Sequence, residues 1–108
     1  MKLYIGVRVI DGVKVFLTDS NDEELKEKEL NPRFDLANHS PTGFEWGYEG
    51  SGPSQLALAI VSDVLQDDQE ALKLYQAFKI KAVKNFPKKV FVISDQEVKD
   101  IIESIKGE

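Results

Sequence analysis

The chain has 108 residues, of which 42% are hydrophobic, and this length suffices for one globular domain but not for two packed halves. It contains no cysteine and a single histidine, His39, which excludes disulfides, thiolate zinc sites and most imidazole metal centres. The formal net charge of −5 is not typical of a protein that binds nucleic acid over its whole surface. Composition alone therefore assigns no function.

The opening residues of the sequence predict no targeting signal. No run of 18 apolar residues occurs in the chain. The opening residues MKLYIGVR lack the long apolar stretch and the small-residue cleavage site of a signal peptide. The sequence therefore predicts a soluble protein of the cytoplasm with no membrane contact.

Two segments rich in Leu, Ile, Val and aromatic residues open the chain at 3–9 and 13–18. The dipeptide Asp11-Gly12 between them is a preferred pair for a tight turn with positive φ. In both segments alternate residues form one apolar face and one mixed face. This pattern predicts an N-terminal β-hairpin.

Residues 19–29 carry six carboxylates against two lysines. A short helix here would have only Leu25 and Leu30 as apolar anchors, and Pro32 would end it. We therefore predict an acidic, mobile excursion over residues 19–33.

The next segment has the signals of a buried helix. Pro53 suits the first helical position, with Ser51 or Gly52 as the cap, and apolar residues continue to Leu65. Apolar side chains cover most of its circumference, which predicts the centre of the domain. The polar positions form a narrow strip: Gln55, Ser62, Asp63 and Gln66.

A second helix is predicted from the capping-box spacing of Asp67 and Glu70. It would run for about 18 residues at 1.5 Å per residue and stop before Pro87. Its apolar residues fall on one line of the helical wheel: Ala71, Tyr75, Phe78, Ala82 and Phe86.

A short strand, Val90 to Ile93, precedes another capping box formed by Ser94 and Glu97. The third helix that follows has one apolar stripe and closes at Gly107. The stripe consists of Val98, Ile101, Ile102 and Ile105. Together these elements predict a single α+β domain over residues 1–108. Its small antiparallel sheet joins the N-terminal hairpin to the later strand, and three helices pack on one face.

Residues 39–55, here named the Gly-aromatic segment, contain four of the seven glycines, the only tryptophan and the only histidine. Glycine at this density is typical of backbone that turns repeatedly or approaches another group closely.

The blocks NHSPTGFEWGY at 38–48, GSGP at 50–53 and QLALA at 55–59 resemble an uncharacterised family of small bacterial, archaeal and phage-associated proteins. A weaker match is Tyr75 with Phe78-Lys79. The resemblance spans roughly residues 30–90 and implies no activity, cofactor or catalytic residue.

The polar residues of this segment are compared with three kinds of functional site. Backbone N–H groups of residues 50–54 could hold phosphate at a helix start, although Pro53 removes one amide and no lysine follows as in a Walker loop. Ser51 lies between two glycines, but a nucleophile elbow, Gly-x-Ser-x-Gly, would need glycine at positions 49 and 53, where the chain has Glu49 and Pro53. Glu45 and Glu49 could bind Mg²⁺ or act as acid and base, but acidic surface is the commoner explanation.

The alternating rings of Phe44, Trp46 and Tyr48 would share one face of an extended chain and could stack on nucleobases or grip a peptide. We favour the alternative that they close the core of a small domain. His39 is expected to hydrogen-bond within a turn, since no second histidine or cysteine accompanies it. The candidate binding residues are therefore His39, Phe44, Glu45, Trp46, Tyr48, Glu49 and Ser51.

The stretch from Ala71 to Ser94 has six lysines and no acidic residue. Several of them lie opposite the apolar line of the second helix, with Ile80 exposed among them. The candidate basic face consists of Lys73, Lys81, Lys84, Lys88 and Lys89. It could contact phosphates or an acidic partner, although solvated surface charge is the commoner explanation.

We conclude from the sequence that the chain is a small non-enzymatic accessory or binding module, and its family resemblance implies phage or mobile-element biology. Two alternatives stay open. One is a nucleic-acid-associated protein that uses the lysine face of residues 73–89, and the other is a metal- or phosphate-dependent enzyme built on the Gly-aromatic segment. No cofactor or metal ligand is predicted. A protein partner or self-association fits this prediction better than nucleic acid does.

Overall fold

The computed structural model describes residues 1–24 and 26–108, so Leu25, a predicted apolar anchor, lies outside the described residues. The described residues form four strands, three α-helices and one 3₁₀ turn. In chain order these are β1 (Lys2–Val9), β2 (Gly12–Asp19), β3 (Lys28–Glu29), α1 (Ser51–Leu65), α2 (Asp68–Lys81), the 3₁₀ turn (Val83–Asn85), β4 (Val90–Ser94) and α3 (Asp95–Lys106). The strands make one antiparallel sheet in the order β3-β2-β1-β4. The predicted α+β class is confirmed.

The N-terminal hairpin is confirmed, but its turn lies one residue earlier than predicted. Val9 pairs with Gly12, so the two loop residues are Ile10 and Asp11. Gly12 has a φ of +147° and opens β2, which explains why glycine follows the aspartate. The sequence therefore identifies Gly12 correctly as a residue with positive φ, but it places the two-residue turn one position too late.

The later strand and the third helix also follow the prediction. β4 pairs with β1 in antiparallel register, with Phe91 opposite Gly6. At the start of α3, Ser94 Oγ accepts from the Glu97 N–H at 3.0 Å, and the Glu97 carboxylate accepts from the Ser94 N–H at 3.1 Å. Gly107 is the C-cap but has a right-handed φ of −79°.

The acidic segment contains a strand and, within the described residues, no helix. Phe16 pairs with Glu29, and the Leu30 N–H donates to the Val15 carbonyl at 3.2 Å. The Leu30 side chain is only 4% exposed. The second half of the predicted excursion is therefore held to the edge of the sheet.

The two central helices start and end differently from the prediction. Gly50 is the N-cap of α1 and makes no side-chain cap bond, so neither Ser51 nor Gly52 caps the helix and Pro53 is its third residue. Ser54 Oγ donates instead to the Gly50 carbonyl at 3.0 Å.

The Asp67 cap of α2 is confirmed by a 3.2 Å bond from the Glu70 N–H to its carboxylate. However, α2 has 14 residues and is shorter than predicted. At Ala82 the backbone leaves helical geometry, with φ −126° and ψ −64°, and the 3₁₀ turn follows.

The helices cover one face of the sheet, and that face is the mixed face of β1. Tyr4 and Gly6 are buried on it, together with Val15 of β2 and Phe91 of β4. Gly6 is required here because the Phe91 ring lies 2.0 Å from where a Cβ would stand. The apolar residues of β1 therefore lie on the face that no helix covers.

Candidate functional site

A groove of about 810 Å³ lies between β2 and the Gly-aromatic segment. One wall consists of Asp11 of the hairpin loop and β2 from Gly12 to Phe16, and the opposite wall comes from residues between Ser40 and Gly52. Glu27, Glu29 and Leu30 complete the lining. Four of the seven candidate binding residues line this groove, namely Phe44, Glu45, Tyr48 and Ser51. His39, Trp46 and Glu49 are not part of its lining.

The edge of β2 inside the groove has free backbone groups. Since the Leu30 N–H donates to the Val15 carbonyl, the N–H and C=O of Val15 point away from β1. Alternate residues of a strand point the same way, so those of Val13 do too. In the β2–β3 register the residue opposite Val13 would be Pro32, which has no N–H and lies beyond the end of β3. Val13 therefore has no strand partner on this edge among the described residues.

Glu45 is held at the rim of the groove by Arg8, a residue that the sequence did not single out. The Arg8 guanidinium donates to both carboxylate oxygens of Glu45, at 2.7 and 3.0 Å, and this bidentate pair lowers the pKa of Glu45. The same guanidinium lies 5.0 Å from the centroid of the Trp46 ring. Arg8 belongs to the mixed face of β1, and only the pairing of β1 with its neighbours shows that this face turns inward.

The three aromatic rings do not form one row. Trp46 is fully buried, and its indole N–H donates to the carbonyls of Pro87 and Lys88 at 3.0 and 3.1 Å. Phe44 is half-buried, whereas Tyr48 is 48% exposed. Between the second and third rings Gly47 has a φ of +86°, so the backbone is not extended there. Only Trp46 closes the core completely, and the other two rings line the groove.

His39 and Gln55 fasten the first part of the segment. His39 Nε2 lies 2.6 Å from Tyr75 Oη of α2, 36 residues along the chain, so this side chain bonds to a distant helix and not within a turn as predicted. Gln55 is fully buried, and its side-chain oxygen accepts from the N–H groups of His39 and Ser40 at 2.8 and 3.3 Å. Its amide nitrogen donates to two further backbone carbonyls, those of Pro32 and Ala37, at 2.6 and 3.0 Å.

The sequence indicates for this glutamine only a place in the polar strip of the first helix and at the end of the Gly-aromatic segment. Its four partners all lie 15 to 23 residues away along the chain. Helical periodicity does not predict contacts between distant residues. The sequence therefore did not identify Gln55 as the residue that positions the groove wall.

The two candidate metal carboxylates have separate cationic partners. Glu45 is paired with Arg8, and Glu49 lies 3.8 Å from the ammonium of Lys79, whose side chain is largely buried. Within residues 1–24 and 26–108, no group of three or more His, Cys, Asp or Glu side chains is arranged to hold a metal ion. Both carboxylates therefore act as partners of cations in the chain itself.

The candidate basic face divides into paired and unpaired lysines. Lys73 lies 3.5 Å from Glu70, and Lys81 pairs with Glu108. The remaining three form no ion pair with the part of the chain that the structure describes: Lys84, Lys88 and Lys89. Within the candidate basic face, the lysines without an ion pair therefore lie between the end of α2 and the start of β4.

A second polar cluster lies at the start of β1. The buried Tyr4 hydroxyl donates to Asp63 Oδ2 at 2.5 Å, and Lys2 Nζ lies 3.3 Å from the same oxygen. Burial and the neighbouring carboxylate raise the pKa of Tyr4 well above its usual value. Each member has a partner within the cluster, so it stabilises the contact between β1 and α1.

None of the described helices is both long enough and apolar enough to span a bilayer. No curated protein and no solved structure shows significant similarity to the chain. A family model described as "Family of unknown function (DUF6166)" matches residues 4–104. This span includes both walls of the groove and extends well beyond the region of the resemblance noted in the sequence. The chain therefore belongs to the DUF6166 family, whose function is unknown.

Proposed function

We propose that this protein is a small non-enzymatic binding module whose groove takes an extended segment of a partner polypeptide. The observation that carries the proposal is the free edge of β2, where the N–H and C=O of Val13 face the groove. Extended peptides bind such edges by adding a strand, and the main-chain hydrogen bonds supply affinity. The volume of about 810 Å³ is within the range of ligand sites in proteins.

The side chains of the groove favour a particular kind of segment. Phe44 and Tyr48 offer aromatic surface on the wall opposite β2. The exposed charges of the lining are mainly negative: Asp11, Glu27 and Glu29 against Lys14. A partner segment that carries lysine or arginine complements this lining better than an acidic segment does.

Selection from a displayed library of random twelve-residue peptides tests the proposal. We expect enriched peptides to carry Lys or Arg and to lack proline in their central residues, because proline cannot donate to a strand edge. Binding of an enriched peptide is then measured by fluorescence anisotropy with wild type, Tyr48→Ala and Phe34→Ala. Phe34 is a matched control because it is also exposed, at 41%, but does not line the groove.

We expect Tyr48→Ala to weaken binding about tenfold, as for the loss of one aromatic contact in an interface, and Phe34→Ala to leave it unchanged. Failure to enrich any peptide, or equal effects of the two substitutions, would contradict the proposal.

The lysines outside the groove support a second candidate function. Lys84, Lys88 and Lys89 are close in sequence and have no ion pair among the described residues, so their ammonium groups are available to contact phosphates. A gel-shift series at about 50 mM salt with single- and double-stranded probes tests it, with Lys84→Glu/Lys88→Glu as the variant. No shift for the wild type removes this candidate.

The enzyme alternative has less support, because Glu45 and Glu49 are each paired with a cation and His39 is bonded to Tyr75. A location in the cytoplasm and an association with phages or mobile elements remain part of the proposal, as the sequence suggested. Neither the location nor the association changes the peptide-binding experiment described above.

A further inference from the structure

The outer edge of the sheet at β4 has free backbone groups of its own. The only strand neighbour of β4 among the described residues is β1. The Arg8 N–H donates to the Lys89 carbonyl at 2.9 Å, so Lys89, Phe91 and Ile93 point their backbone groups toward β1. Val90 and Val92 therefore direct their N–H and C=O groups away from the sheet.

The side chains of this edge are apolar and unprotected. Val90 is 48% exposed and Val92 is 56% exposed. They lie beside Val7 and Ile5 of β1, on the face that no helix covers. Natural edge strands are usually blunted by lysine, proline, a bulge or a covering segment, and the β4 sequence VFVIS contains neither lysine nor proline. Such an edge favours pairing with another strand.

The free groups of this edge are complementary to those of a second copy. In an antiparallel pair related by a two-fold axis at Phe91, Val90 lies opposite Val92 of the partner subunit, and Val92 opposite Val90 of the partner subunit. All four N–H groups and all four C=O groups that these valines leave free then form hydrogen bonds. A register centred on Val92 is less favourable, because it pairs Val90 with Ser94, whose N–H already donates to Glu97.

Opposite charges also lie near the two ends of β4 and favour association of two copies. Lys89 is exposed and Asp95 is half-buried, and neither forms an ion pair within the described part of the chain. With the axis at Phe91, Lys89 lies opposite Ile93 of the partner subunit, close to the start of the partner's α3, whose first residue is Asp95. Because the axis is two-fold, the dimer contains this pair of opposite charges twice.

We propose that two copies of the chain associate through antiparallel pairing of their β4 strands, in the register centred on Phe91. The two sheets then form one continuous sheet of eight strands. The groove lies on β2, which is separated from β4 by β1, so it stays open in the dimer. The proposal is therefore independent of the function proposed above.

Sedimentation velocity from about 5 to 500 µM tests the association, with Val92→Pro and Val92→Thr as paired variants. The monomer has a mass of 12.2 kDa, and we expect the wild type to approach twice this value at the upper concentrations. Proline at position 92 removes the N–H that points to the free edge and leaves the ladder to β1 intact. We expect Val92→Pro to stay monomeric and Val92→Thr, which keeps that N–H and is also β-branched, to dimerise.

A charge exchange gives a second test that does not depend on the proline variant. Lys89→Glu should raise the dissociation constant of the dimer about tenfold, because two attractive contacts become repulsive. The double variant Lys89→Glu/Asp95→Lys should return it to within about threefold of the wild type. Far-UV circular dichroism establishes that each variant is folded. A wild type that stays monomeric throughout, a Val92→Pro protein that still dimerises, or a double variant no better than the single one would overturn the proposal.

Discussion

Replacing Gln55 by leucine should destabilise the protein strongly, although the two side chains are similar in size. The change removes four hydrogen bonds, two accepted by the side-chain oxygen and two donated by the amide nitrogen. It leaves the N–H groups of His39 and Ser40 and the carbonyls of Pro32 and Ala37 without this partner.

Each buried polar group left without a partner costs about 1–3 kcal/mol. Ser40 is buried but His39 is only half-buried, so water satisfies part of the set. We therefore expect a loss of about 3 kcal/mol in the free energy of unfolding, well below the sum of four full penalties. For a domain of this size the melting temperature should fall by about 12–20 °C.

Urea unfolding followed by the fluorescence of Trp46 measures this loss, since Trp46 is fully buried in the native state and is the only tryptophan. Gln69→Leu is the matched control, because Gln69 lies exposed in the first turn of α2, and its replacement should change stability by less than about 0.5 kcal/mol. A loss below about 1 kcal/mol for Gln55→Leu would refute the role given to this side chain.

Three further predictions concern the same wall and the sheet beneath it. Trp46→Phe should cost about 2–4 kcal/mol in thermal unfolding, because it removes the indole donor and leaves a cavity. Since Arg8 lowers the pKa of Glu45, the ionised carboxylate stabilises the fold above its unfolded pKa, and this stabilisation is lost as pH falls through the folded pKa. Glu45→Gln should therefore lose less stability than the wild type when urea unfolding is compared at about pH 7 and pH 3; an identical pH dependence would contradict the pairing. Gly6→Ala should lower stability by about 1–3 kcal/mol in the same assay, because the added methyl group would overlap the Phe91 ring, and a neutral effect would show that the ring moves freely.

Local signals in the sequence predicted the elements well. The capping residues Asp67 and Ser94 were identified from residues three positions away, and both caps are present. Val90 to Ile93 was placed in the sheet because an isolated strand cannot satisfy its own backbone, and it pairs with β1. Helix caps and short strands depend on residues within one turn or one strand, so they can be predicted from the local sequence.

Contacts between distant segments were not predictable in this way. The strand β3 has only two residues, which is too short for an alternating pattern, and it pairs with Phe16 and Leu17 of β2. The bond between Arg8 and Glu45 joins residues 37 positions apart. The proposed row of three rings assumed extended backbone, whereas the positive φ of Gly47 turns the chain. The groove arises from these long-range contacts. Several of its lining residues were therefore predicted as candidates from the sequence, but the groove itself was not.

Amide hydrogen exchange at Val13 tests the central claim most directly. In the free protein this N–H has no strand partner among the described residues, so it should exchange much faster than the amides of β1 that face β4. Addition of a saturating peptide obtained by the selection should slow the exchange of the Val13 amide at least tenfold, because a bound strand accepts its hydrogen bond. An amide already protected in the free protein, or unchanged exchange in the presence of the peptide, would contradict the assignment of the β2 edge as the binding site.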